Sequence, residues 1–264
     1  MVGKINSLLE FFWKSDTIYR FHPPGLYKLN EKVFENKDHY YDSDLILEQY
    51  QILLRQEGIV EDSLFASKRA QSGIPLSAFA AKALHSPAFL NTLYKLVRLY
   101  QPSKILELGS CMGISTLCLG LAARESEIIS VEGNTQFSKI AEQVLKNHVL
   151  TNVKILNETF DSALNELKNK EFDFVFLDGD HSYEASISIV NKLIPLLSKN
   201  AILVMDDIHW STGMYKAWKE LIIRNEFQCS LETLRWGLLF MDRSLTSGKY
   251  CLIPRAYKFW QKYY

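Results

Sequence analysis

The sequence predicts an α/β fold: a doubly wound, mostly parallel sheet preceded by a helical N-terminal region. Three observations carry this. After Gln101-Pro102, short apolar runs alternate with amphipathic stretches, and parallel strands need such crossover helices between them. Near the end, two strand-like runs follow each other too closely for a crossover helix, so they are expected to pair antiparallel. Before residue 100 the periodicity is helical and no buried-strand pattern occurs.

In order along the chain, Tyr19 to Leu29 contains His22-Pro23-Pro24-Gly25 and reads as a loop. Asp44 to Arg55 places Leu45, Leu47, Tyr50, Leu53 and Leu54 on a helical face. Ser86 before Pro87 suits a helix cap, and Phe89, Leu93, Leu96, Val97 and Tyr100 share one side of the helix that follows. Strands are expected at Lys104–Leu108, Glu127–Glu132, Lys154–Glu158, Phe172–Asp178 and Ala201–Asp206. Helices are expected near 113–123, 135–148, 160–168 and 183–197, and another near 213–225. The antiparallel pair is Phe227–Glu232 with Trp236–Met241. The expected division is a helical cap on the substrate side at 1–85, the sheet domain at 86–247, and a basic aromatic tail at 248–264. That tail is expected to dock on the chain's own sheet edge or on a dimer mate, the alternative being a membrane surface or a partner.

A chain of 264 residues, 47% hydrophobic and 23% charged, can bury a substantial core. Thirty basic residues balance thirty acidic ones. No global basic field exists to draw in nucleic acid, which is not an expected partner. The four cysteines form no CxxC and no zinc-finger spacing, so a reducing, cytoplasmic setting is expected. The apolar run at Leu8–Trp13 is broken by Glu10 and too short for an integral membrane segment.

In open parallel sheets ligands bind at the carboxyl ends of the strands. The first strand ends in Glu107-Leu108-Gly109-Ser110-Cys111-Met112-Gly113-Ile114-Ser115. Gly109 and Gly113 allow a tight turn and close approach of a ligand to backbone. Neither the G-x-G-x-x-G of dinucleotide folds nor a phosphate loop with Lys is present, so a nucleoside with a short charged tail fits better than a pyrophosphate. Glu132, at the end of the second strand, is placed to bind ribose hydroxyls. Asp178 ends the fourth strand, and Asp206-Asp207 ends the fifth. If those strands are neighbours, the three carboxylates converge and repel. A divalent cation such as Mg2+, a raised pKa, an Arg or Lys reaching in, or acids pointing apart would each relieve this. His181 and His209 border the same rim as candidate general bases.

Taken together, these ordered motifs resemble class I S-adenosylmethionine-dependent methyltransferases over roughly residues 86 to 242. The likeness is greatest to metal-dependent O-methyltransferases of the catechol and caffeoyl-CoA type and their bacterial relatives. Their E-x-G-x-x-x-G-x-S is matched by Glu107, Gly109, Gly113 and Ser115. Their F-D-x-x-F-x-D-A-D-K is matched by Phe172, Asp173, Phe176, Asp178 and Asp180, and their D-N-x-x-W by Asp206 and Trp210. Two positions depart: His181 stands for a Lys, and Asp207 for an Asn.

The resemblance implies a Rossmann-like, seven-stranded sheet with an antiparallel last strand. It implies that Glu107, Gly109, Ser110, Gly113, Ser115 and Glu132 form the S-adenosylmethionine site, with Phe160 and Asp161 near the adenine. It implies a metal held by Asp178, Asp206 and Asp207. Without a metal, Asp178 or Asp207 would orient substrate or bind the methionine amino group of the cofactor. The expected function is O-methylation of a small hydroxyl compound, with His181, Asp178 and His209 as catalytic candidates. The alternatives are a metal-independent enzyme acting on O or N, and a non-catalytic cofactor-binding module. A homodimer is the expected oligomer.

Overall fold

The computed structural model describes residues 2–61, 72–179 and 181–263. The helices are α1 (Val2–Lys14), α2 (Pro24–Leu29), α3 (Tyr41–Leu53), α4 (Leu76–Ala83), α5 (Pro87–Tyr100), α6 (Ile114–Ala122), α7 (Thr135–Asn147), α8 (Phe160–Glu166), α9 (Tyr183–Leu193) and α10 (Thr212–Leu221). The strands are β1 (Lys104–Leu108), β2 (Glu127–Val131), β3 (Val153–Leu156), β4 (Phe172–Leu177), β5 (Leu197–Met205), β6 (Cys229–Glu232), β7 (Gly237–Phe240) and β8 (Gly248–Cys251). A π turn at Asn30–Phe34 follows α2. The loop expected around His22 is broken by α2, because Pro24 with its fixed φ begins a helix well.

The chain forms two compact units, 37–167 and 1–36 with 168–264. In the first, β1, β2 and β3 are parallel, with Leu106 opposite Ile129 and Ser130 opposite Ile155. Every residue of α6 is buried, since it carries only apolar and small side chains. Ser86 caps α5 by accepting from the Phe89 N–H at 3.4 Å, with Pro87 in the first turn. Asn134 caps α7 by accepting from Gln136 and Phe137, and Thr159 caps α8 by accepting from Ser162.

In the second unit the strand order is β4-β5-β7-β6-β8. β4 and β5 are parallel, and β7 is antiparallel to both β5 and β6. Among the described residues, eight strands occur where seven were expected. The extra one is β8, from the tail, which pairs parallel to β6. The short segment Gly-Lys-Tyr-Cys has no alternating apolar signal that would have revealed it. Strand β5 begins at Leu197, before the expected Ala201, because the pairing of Phe172 with Leu197 extends it through polar Lys199-Asn200. Residues 1–36 join this unit through a bridge between Asp16 and Leu252 and a hydrogen bond from the Thr17 N–H to Gln261 at 2.8 Å. The Lys258 ammonium donates to the Ser15 carbonyl at 2.7 Å. All four cysteines are free thiols. No described helix is long and apolar enough to cross a membrane.

Candidate active site

The glycine loop between β1 and α6 turns through left-handed backbone at Gly109, Cys111 and Gly113, with φ of 105°, 49° and 85°. At Gly113 a side chain is excluded twice over. Its φ is unfavourable for an L-residue, and a Cβ would lie 2.7 Å from the Ala141 backbone of α7. Glu132 grips this loop. Its Oε2 accepts the Cys111 N–H at 2.8 Å and its Oε1 accepts the Asn134 N–H at 2.8 Å. Each carboxylate oxygen has further lone-pair capacity, so the same group can take the hydroxyls of a ribose. The Asn157 amide donates to the Glu132 carbonyl at 2.8 Å and to the Gly133 carbonyl at 3.3 Å, tying the ends of β2 and β3 together.

Ser110 is 1% exposed, and its hydroxyl has no hydrogen-bond partner among the described residues. A buried hydroxyl without a partner is costly, and a polar ligand in the loop would satisfy it. The loop therefore fits the cofactor the motif implies. Glu107 lies deeper than expected. It is wholly buried, and its Oε2 accepts the Thr116 and Ser130 hydroxyls at 2.5 Å each. Burial pushes its carboxyl up, with the Ser115, Ser130 and Thr116 hydroxyls working the other way. Glu107 thus braces β1, α6 and β2 from inside, and Ser115 is buried beside it. Phe160, half-buried, and Asp161, exposed, open α8 just after β3.

In the other unit, the acids at the ends of β4 and β5 meet a cation from the turn between β6 and β7. Asp206 is completely buried, and Arg235 holds it in a two-pronged pair. Nε donates to Oδ1 and a terminal nitrogen to Oδ2, both at 2.7 Å. Asp207, whose φ is 52°, lies 3.3 Å from the Arg235 Nε. Burial works against the Arg235 charge, but Asp206, Asp207 and Asp178 together hold the guanidinium above its ordinary value. The Arg235 carbonyl accepts the Ile208 N–H at 3.1 Å, so backbone and side chain are both fixed to the segment after β5. Thr233 shapes the turn, its hydroxyl accepting the Trp236 N–H at 2.9 Å.

Of the four ways to relieve three converging carboxylates, the arrangement is that of an arginine reaching in. Both oxygens of Asp206 are engaged by Arg235, so a divalent cation there would share the carboxylate with the guanidinium and be opposed by its charge. Arg235 was visible in the sequence only as part of Leu234-Arg235-Trp236-Gly237-Leu238 and carried no expected role.

His181 belongs to this group. Its Nε2 is 3.7 Å from Asp178 Oδ1 and 3.9 Å from Asp207 Oδ2, and 15% of its side chain is exposed. The Trp210 ring flanks it at 6.3 Å between centroids. The Ser211 hydroxyl donates to its carbonyl at 3.0 Å while accepting the Met214 N–H that opens α10. His209 is packed among aromatic rings. It is 3% exposed, between the rings of Phe11 at 5.3 Å and Tyr215 at 5.1 Å, with Nε2 3.5 Å from Glu232 Oε1. Asp180, the remaining acid of the strand-four motif, lies outside the described residues.

A family model described as a methyltransferase domain matches residues 106–208. The chain is 30% identical over 164 residues to O-methyltransferase hkm8 of Aspergillus hancockii, covering 61% of this chain and 60% of that one. It is 28% identical over 159 residues to a catechol O-methyltransferase of Niastella koreensis, covering 58% of this chain and 64% of that one. The chain thus spans about three fifths of the length of these curated relatives. It superposes on the crystal structure of the O-methyltransferase TomG from Streptomyces achromogenes, solved in complex with S-adenosylmethionine, with a TM-score of 0.54. That match has 18% identity over 75% of this chain and 96% of the other, a likeness of fold. The motifs, the sheet and these matches agree: residues 106–208 match a methyltransferase domain, and the fold is one shared with a solved O-methyltransferase.

Proposed function

We propose that the chain is an S-adenosylmethionine-dependent O-methyltransferase acting on a small hydroxyl compound. The observation that carries this reading is the glycine loop gripped by Glu132, with the buried and unsatisfied Ser110 hydroxyl beside it. S-adenosylmethionine bound there supplies an electrophilic methyl carbon. Glu132 would hold the ribose, Gly109 would admit the ligand to backbone, Gly113 would let the loop pack against α7, and Phe160 and Asp161 would border the base.

The acid cluster handles the acceptor in this reading. His181 takes the hydroxyl proton, with the Asp178 and Asp207 carboxylates beside its ring. S-adenosylmethionine would supply the methyl group to the acceptor oxygen, and the electron pair of the broken carbon–sulfur bond would pass to its sulfur. The rest is alignment, which is worth most when the reacting groups are held rigidly. Three carboxylates against one guanidinium leave the cluster negative, which disfavours an acceptor bearing its own carboxylate. His209, packed against Phe11 and Tyr215, positions the segment between β5 and α10 and is not the proton acceptor.

Calorimetric titration with S-adenosylhomocysteine tests the cofactor half. Wild type is expected to bind, and Glu132→Ala to bind about 10- to 100-fold more weakly, as for the loss of a charged hydrogen-bonding group. Unchanged affinity in the variant would remove Glu132 from the site. No binding by the folded wild type would leave only a shared fold.

A further inference from the structure

We propose that Arg235 is the built-in cation of the acceptor site, standing where a divalent metal would otherwise be needed to balance Asp178, Asp206 and Asp207. This rests on the methyltransferase reading for its purpose, but the assignment itself rests on geometry. A guanidinium matches a carboxylate with two parallel hydrogen bonds, and its charge repels a second cation from the same oxygens. Here both bonds are 2.7 Å long and the carboxylate is completely buried. The second acid of the pair lies 3.3 Å from the same guanidinium. The cation is held by more than its charge. Its carbonyl is bonded to Ile208, the Thr233 hydroxyl pins the turn, and the antiparallel register sets Met205 opposite Gly237. Asp206 follows Met205 and Arg235 closely precedes Gly237, so the sheet itself delivers acid and base to the same place. Arg235 is thus a positioning residue. It fixes Asp206 and Asp207, and through them the surroundings of His181.

This assignment predicts an exchange of cations. Removing the guanidinium leaves a buried carboxylate uncompensated beside two others, which is an oxygen-ligand set for a hard divalent ion. The experiment is a Mn2+ titration of the full, metal-stripped chain, following the free ion by electron paramagnetic resonance and the protein by its melting temperature. Wild type is expected to show no site and no rise in melting temperature. Arg235→Ala is expected to gain one Mn2+ site, tighter than any wild-type binding by on the order of tenfold or more, with a rise in melting temperature. The double variant Asp206→Asn, Arg235→Met, with neither charge, is expected to show no site. Should Arg235→Ala not fold, Arg235→Gln, which keeps one N–H for Asp206, replaces it. A wild-type Mn2+ site abolished by Asp206→Asn overturns the proposal, as does the lack of any gained site in the arginine variant that folds. S-adenosylhomocysteine binding measured on the same wild-type samples separates the two readings. Its loss counts against the methyltransferase reading, and the Mn2+ result alone decides the role of Arg235.

Discussion

Glu232 brings a carboxyl into the interior at the end of β6, where only 5% of the residue remains exposed. It accepts the Trp218 indole N–H at 3.0 Å and faces His209 at 3.5 Å. Burial pushes its carboxyl up, while the Trp218 hydrogen bond, the Lys14 charge and Cys251 pull it down and Glu10 adds to the rise. A carboxyl raised on folding binds its proton more tightly in the folded than in the unfolded chain. Stability from this group is therefore fully present below the ordinary carboxylate value of 4.5 and is lost as pH rises through the raised one. Glu232→Gln keeps an acceptor for Trp218 and removes the titration. Its stability relative to wild type should climb with pH above that value, by up to about 1.4 kcal/mol for each pH unit inside the window. Urea melts of both proteins across that range measure it, and parallel curves would show that Glu232 does not titrate on unfolding. The acids Asp178, Asp206 and Asp207 were legible in the sequence because a carboxylate at the end of a buried run is a local signal. Arg235 was not, since its partnership depends on which residues the β5–β7 register sets opposite one another. The depth of Glu107 was equally hidden, because Thr116 and Ser130 become its partners only once β1, α6 and β2 are packed.

Helix α10 and the β6–β7 pair are fitted to one another through one glycine. A Cβ at Gly237 would lie 2.4 Å from the Trp218 ring, which is wholly buried and tied to Glu232 by its indole N–H. The ring has no room to yield, so Gly237→Ala should cost about 1–3 kcal/mol through overpacking. In chemical denaturation this would appear as a lower midpoint with an unchanged slope. An unchanged midpoint would mean that the helix can slide off the strand. At this scale the sequence was informative wherever a strand is buried on both faces or a helix has a sided pattern. Strands β1, β2 and β4, the cap at Ser86 and the antiparallel pairing of β6 with β7 follow from such patterns. Strand β8 did not, because four residues on a sheet edge need backbone pairing more than apolar side chains.

At the scale of the whole molecule, one unit is continuous in sequence, residues 37–167, and the other is assembled from 1–36 and 168–264. The second is closed by contacts between segments very distant along the chain: Asp16 with Leu252, Thr17 with Gln261 and Ser15 with Lys258. Sequence patterns gave helical periodicity before residue 100 and a loop at 19–29, but periodicity cannot tell a helix which partner it will meet. The bridge from Asp16 to Leu252 also dictates a timetable during synthesis. At about 5–20 residues per second, helix α1 leaves the ribosome roughly 10–50 s before Leu252 is made. The apolar side of α1, including the fully buried Phe11, must wait through that interval without its native neighbours. Chains stalled just after residue 167 plus the length of the ribosomal tunnel should resist brief proteolysis across 37–167 while being cut within 1–36. Equal protection of both segments would mean that α1 finds another shelter first. Translation speed through the last third of the message, and any chaperone that shields an early amphipathic helix, would then govern the yield of folded protein more than the stability of the finished molecule does.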